Sequence, residues 1–145
     1  MDDKIRLGLT FDDVLLEPRA SGVVRDGVSL ETKLTRKINL KIPILSAAMD
    51  TVSEDAMAVS LGRLGGMAVI HRNCSIERQV AMVKKAKSAK VLVGAAVGSY
   101  DLERAKALDR AGADVIVVDT AHAHNLLSIK GARAIKKAIR AELIV

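Results

Sequence analysis

Four short polar clusters stand out in this chain because each directly follows an apolar run: Asp50-Thr51, His71-Arg72-Asn73, Gly98-Ser99-Tyr100 and the stretch Asp119-Thr120-Ala121-His122-Ala123-His124-Asn125. Their residue types suit a nucleotide-like ligand. Carboxylates accept from ribose hydroxyls, exposed backbone N–H groups hold phosphate, and imidazoles serve polar contact or proton transfer. The fourth cluster is the richest. If the run before Asp119 is a buried strand, its carboxylate stands at the edge of the core, facing a pocket. Asp119 or Thr120 would serve equally well as the cap of the following helix. His122 and His124 are two residues apart, so at a strand end they point to opposite sides. With no third ligand at a metal-binding spacing, the residues argue against a metal pair. His71-Arg72-Asn73 offers an anion site, but capping of the next helix by Asn73 or Ser75 is the stronger reading. Met49, among small residues, presents a polarizable surface to a flat ring or simply packs in the core. Cys74 has no base placed beside it by a motif and reads as structural.

The elements that must position these groups repeat at nearly constant intervals. Apolar strand-like runs start at Pro43, Met67, Val91 and Asp114, spaced 24, 24 and 23 residues apart, and another begins at Glu142. Each is a nearly unbroken apolar run, as in a parallel sheet covered on both faces. Between them, the spacing predicts helices over 53–64, 75–88, 102–111 and 126–140. Thr51 and Glu54 have capping-box spacing before the first, with Met57, Ser60, Leu61 and Leu64 as its stripe. The second places Ile76, Val80 and Val83 on one face. The third uses Ala105 and Leu108 and stops at Gly112. The fourth buries Ala132, Ile135 and Ile139. Residues 1–42 form an N-terminal arm, in which the alternation Val28, Leu30, Thr32, Leu34 suggests a short strand. Residues 43–145 carry the βα repeats, and no linker divides the chain.

Composition narrows the class. A chain of 145 residues, 50% hydrophobic, has ample apolar content for one soluble domain or part of one. No run is long enough for a membrane span and MDDKIRLGLT has no signal-peptide core, so a cytoplasmic, membrane-free protein is expected. A single cysteine suits a reducing compartment. The net charge of +6 sits largely on helix faces, and Phe11 and Tyr100 are the only aromatics. That leaves no stacking platform for bases, so no nucleic acid partner is expected.

Two α/β architectures remain open on these grounds: a doubly wound sheet, or the first half of a parallel (β/α)8 TIM barrel. The turn after the first strand, Ser46 to Val52, has neither a G-x-G-x-x-G nor a P-loop. Length favours the open sheet, because a whole barrel usually needs about 200–250 residues.

The strings LTFDDVLLEP (9–18), PILSAAMDTVSE (43–54), GGMAVIHRNCSIERQ (65–79), VGAAVG (93–98) and VVDTAHAH (117–124) together strongly resemble the IMP dehydrogenase / GMP reductase family, from about Leu7 to the last residue. The IHRN-x-S-I-E-x-Q and DTAH segments look more like the dehydrogenase than like GMP reductase. The resemblance implies the first half of a (β/α)8 barrel, about four βα units plus the start of a fifth strand. It also implies oxidation of inosine 5'-monophosphate (IMP) to xanthosine 5'-monophosphate with NAD, in guanine nucleotide biosynthesis.

Carried over by motif, Met49 lies against the purine with Ala47 beside it. Asp119 accepts from the nicotinamide ribose, and Thr120, Ala121 and His122 line the same channel. Ser99 and Tyr100 fall where the adenosine end of NAD would pass. Three departures accompany the resemblance. The regulatory cystathionine-synthase-type (CBS) modules usual after the second helix are missing, because Val83–Lys90 runs straight into the next strand. Ala123 stands where glycine is usual. The catalytic cysteine loop, the phosphate loops, the potassium site and the flap belong to the half of the barrel beyond this sequence. No catalytic residue is therefore expected in this chain, which alone should be inactive, and a homo-oligomer or a complementary C-terminal half is the expected partner. A GMP reductase fragment and a non-catalytic nucleotide-binding or assembly remnant are the alternatives.

Overall fold

The computed structural model describes residues 6–145. From Arg6 to Glu31 every residue is exposed. Phe11–Asp13 and Arg25–Gly27 form isolated 3-10 turns, and Phe11 is 97% exposed. The strand suggested by Val28 to Leu34 shrinks to β1 (Thr32–Lys33), which pairs antiparallel with β2 (Asn39–Leu40). Among the described residues no strand lies beside Val28 and Leu30 to complete a ladder.

The repeating part then alternates strand and helix: β3 (Leu45–Ser46), α1 (Asp55–Arg63), β4 (Met67–Ile70), α2 (Ile76–Ser88), β5 (Val93–Val97), α3 (Leu102–Ala111), β6 (Val115–Val118), α4 (Leu126–Ala138) and β7 (Glu142–Ile144). The strands pair in chain order, β3-β4-β5-β6-β7, and every pairing is parallel. A doubly wound sheet reverses its strand order partway and packs helices on both faces. Neither occurs here.

Instead, the pleat divides each strand between two layers. Ala68, Ile70, Val93, Ala95, Val97, Ile116 and Val118 point outward and pack with residues from all four helices, including Leu61, Val83, Leu108 and Ile135. Met67, Val69, Ala96 and Val115 point inward, where Leu34, Ile38 and Leu40 of the β1–β2 hairpin cover them. Sequential parallel pairing, with helices on one face and a plugged inner face, is the half of a (β/α)8 barrel.

The helices follow the expected rhythm, with local corrections. Thr51 and Glu54 make no capping box. Thr51 is left-handed at φ 60, and Glu54, the residue before α1, makes no side-chain cap. The α1 stripe is rotated as well: Ala58 and Leu61 are buried, whereas Met57 and Leu64 are exposed. In α2, Val83 is buried together with Gln79, Met82 and Ala86, while Ile76 and Val80 are only partly covered. Ser75 caps α2 by accepting from Arg78 N–H. Helix α3 has the expected limits, because Asp101 caps its start and Gly112, left-handed at φ 94, ends it. Helix α4 stops two residues early; it buries Ala132 and Ile135 as expected, while Ile139, also buried, lies just past its end.

Candidate functional site

The inward register that buries Met67 and Val69 continues along β4 to His71, and the one that buries Val115 continues along β6 to Asp119. Both residues therefore meet at the C-terminal ends of the strands. Arg72 Nε donates to Asp119 Oδ2 at 3.3 Å, with the two side chains 47% and 49% exposed. Ala48, His71, Arg72, Asn73 and Asp119 line a cavity of about 240 Å³ there. Asp119 is not the cap of α4. Asn125 does that work, its side-chain oxygen accepting from Leu127 N–H at 2.8 Å and Ser128 N–H at 3.4 Å. The Asp119 carboxylate is thus free of the duty that Asp commonly performs before a helix.

Behind the cavity, His71 is 1% exposed. Its Nδ1 accepts from the backbone N–H of Asn73 at 3.1 Å, so the ring proton resides on Nε2. That proton faces Glu54 Oε1 at 3.2 Å and Asp50 Oδ1 at 3.5 Å. Asn73 Nδ2 donates to Asp50 Oδ2 at 2.6 Å, and Arg78 Nη2 donates to Glu54 Oε1 at 2.9 Å. The ligand atoms of Asp50, Glu54 and His71 lie within 4.8 Å of one another, as in a cation site. The tautomer argues against that use. A metal-bound Nε2 needs its proton on Nδ1, where a ligating histidine normally donates. Here Nδ1 is occupied as an acceptor. The cluster is a hydrogen-bonded support for the turn that follows β4.

The other residues singled out in the sequence gather less tightly. Ala47 accepts from Ser53 Oγ through its carbonyl, and Ala48, rather than Ala47, lines the cavity. Met49 begins the turn closed by Ser53 N–H to Met49 O at 3.0 Å, and its side chain is 57% exposed. Ala121 and His122 are exposed and Thr120 is partly covered, on a loop running outward to the Asn125 cap. Ala123 does not adopt the left-handed conformation for which glycine would be needed. Tyr100 is exposed, and Ser99 Oγ lies 3.3 Å from Ser128 Oγ. A Cβ on Gly131 of α4 would run into the Ser99 carbonyl, so only glycine allows that approach. Cys74 is partly covered beside the His71 carbonyl, with no base against its sulfur among the described residues.

Sequence reasoning missed the Arg72–Asp119 pair and the grouping of Asp50 and Glu54 around His71. The second had a signal. Asp50 and Glu54 frame the turn out of β3, and His71 directly follows the strand paired with β3.

Comparison with known proteins agrees with this geometry. Residues 8–145 match the IMP dehydrogenase / GMP reductase domain. The chain is 39% identical over 181 residues to inosine-5'-monophosphate dehydrogenase of Cryptosporidium parvum, covering 95% of this chain and 45% of that protein. It is 35% identical over 190 residues to the enzyme of the same name in Borreliella burgdorferi, covering 94% and 47%. GMP reductase of Leishmania donovani is 55% identical over 83 residues, covering 57% of this chain and 17% of that protein. The chain thus spans less than half the length of these relatives. A domain match over almost the whole sequence, carried on a half-barrel whose rim residues converge, shows that the chain belongs to the IMP dehydrogenase / GMP reductase family.

Proposed function

We propose that residues 1–145 are the N-terminal portion of a single IMP dehydrogenase catalytic barrel. They contribute part of the substrate and NAD sites to an enzyme that oxidises IMP to xanthosine 5'-monophosphate and is completed by further sequence. The observation that carries this reading is Asp119: a half-exposed carboxylate at the end of an inward-facing strand, lining a cavity and relieved of helix capping by Asn125.

The donor set fits a nicotinamide nucleotide. A carboxylate suits the two ribose hydroxyls, and Arg72 and Asn73 add donors beside it. NAD supplies the hydride acceptor of the reaction. The chain's own residues bind and orient. Asp119 accepts from the ribose, exchanging or sharing its contact with Arg72. Thr120, Ala121 and His122 border the outer edge of that channel, while Met49, with Ala47 beside it, offers an exposed apolar surface to the purine. No residue of this chain is assigned a catalytic role, and the potassium site and nucleophilic cysteine are placed in the remainder of the barrel. By itself the chain does not turn over.

The exposed edges of β3 and β7, together with the exposed Leu7, Phe11, Leu15 and Leu16, favour a further copy or the complementary half as partner. Among the described residues no helix is long and apolar enough to cross a membrane. A cytoplasmic location is part of the proposal.

The test is Asp119→Ala in the completed enzyme. Loss of a charge-assisted hydrogen bond costs about 1.5–3 kcal/mol, so the KM for NAD should rise about tenfold to a hundredfold. IMP saturation should change little. An unchanged KM for NAD would remove Asp119 from the cofactor site. A second reading, GMP reductase, is favoured by the 55% identity to the Leishmania donovani protein. Assaying the completed barrel for NAD reduction with IMP against NADPH oxidation with guanosine monophosphate separates the two.

A further inference from the structure

Gln79 of α2 is a fully buried polar side chain, at 0% exposure. Its Nε2 donates to two carbonyls on neighbouring strands, Ile70 O at 3.2 Å and Ala96 O at 2.9 Å. Its Oε1 accepts from Arg104 Nη1 at 2.8 Å. The same guanidinium donates through Nη2 to Cys74 O at 3.1 Å and through Nε to Asp101 Oδ2 at 2.8 Å. Asp101 in turn caps α3 and donates its own N–H to Gly98 O at 3.1 Å. The turn after β4 is therefore held at both ends, at Ile70 by Gln79 and at Cys74 by Arg104. The three residues between these anchors, His71, Arg72 and Asn73, all line the rim cavity, together with Ala48 and Asp119.

We infer that Gln79 and Arg104 are positioning residues: acting from behind the sheet, they set the geometry of the His71–Asn73 turn and join it to the turn after β5. What the turn holds rests on the function proposed above. That the network sets its shape does not. A planar guanidinium spans three acceptors in fixed directions, which a lysine ammonium cannot do. A buried carbonyl deprived of its donor must move or find water.

The experiment uses the completed barrel and needs no ligand. Nitrogen NMR reads the His71 ring nitrogens, whose protonated Nε2 and accepting Nδ1 give distinct signals, and hydrogen exchange reads the Asn73 amide. Arg104→Met should accelerate Asn73 exchange about tenfold through local opening, and should blur the His71 signals toward a tautomer mixture. Arg104→Lys, a milder change, should shift both in the same direction. Leu108→Ala, which opens a cavity on α3 away from the turn, serves as the control at comparable loss of Tm. It should leave the His71 pattern and the Asn73 exchange, measured relative to the core amides, as they were. Equal effects from Leu108→Ala and Arg104→Met, or an unaltered His71 pattern in both Arg104 variants, would overturn the inference. Failure of Asp119→Ala to affect NAD would leave it standing.

Discussion

The two ends of the sheet are built from the same residue types and use them in opposite ways. At the N-terminal base, charged groups are committed to the backbone and to each other. Asp114 accepts from Val93 N–H at 2.9 Å while both its oxygens hold Lys87 Nζ, at 2.9 and 2.8 Å. Asp109 Oδ1 accepts from the N–H groups of Arg140 and Ala141, at 2.9 and 2.8 Å. At the C-terminal rim, Asp119 has one long contact with a half-exposed arginine, and the loop beyond it runs outward. The lesson is about capacity. Carboxylates at the base have little left to offer a ligand, whereas Asp119 at the rim keeps acceptor positions open.

That contrast can be broken by substitution. The largest effect is expected from Asp114→Ala, which strands the Val93 N–H and removes a charged acceptor. It should cost about 2–3 kcal/mol, read as a lower midpoint in urea. Asn125→Ala comes next. Loss of the α4 cap should cost about 1 kcal/mol by the same measurement, confirming that helix capping and the Asp119 carboxylate are separate functions.

A smaller effect concerns pH. Hydrogen bonding to the Lys85 ammonium holds the Asp55 carboxyl below its ordinary value. Its folded-state pKa is depressed, so the contribution is present above the ordinary carboxylate range and is lost as pH falls through the folded value. Lys85→Gln should remove that acid-side dependence and cost no more than about 1 kcal/mol at neutral pH, because Lys85 is exposed. Acid melts of the two proteins check it. Asp119→Ala should be the mildest for folding, within about 0.5 kcal/mol, because its one ion pair is a long contact between half-exposed side chains. A loss matching that of Asp114→Ala would erase the distinction between base and rim.

Much of this was legible in advance because it depends on local signals. The constant strand spacing arises from one βα unit being repeated, and α3 ends where Gly112 marks its stop in the sequence. The choice between a barrel and an open sheet was not legible from spacing, since both use the same unit. The pairing order of the strands decides it, and that is a long-range property. The Thr51–Glu54 box failed for a related reason. A capping pattern assumes that its side chains are locally available, and Glu54 is instead held by His71 and Arg78 from the next unit. Likewise, Pro43–Met49 reads as a full strand, but only Leu45 and Ser46 pair, because β3 has one neighbour and lies at an edge. At the site, Asp119 was visible as the polar end of an apolar run. Its partner Arg72, 47 residues away in the chain, was not.

The β1–β2 hairpin has a consequence for traffic. Leu34, Ile38 and Leu40 press against Met67, Val69 and Val115 at the base of the inner face, and Lys37 ties the hairpin to Glu142 of β7 at 3.2 Å. The concave side of the sheet is therefore a cup with a floor and not a passage. On this half of the inner face the way in from the base is shut, and a molecule at the rim exchanges with solvent past the C-terminal ends of the strands or across the edges of β3 and β7.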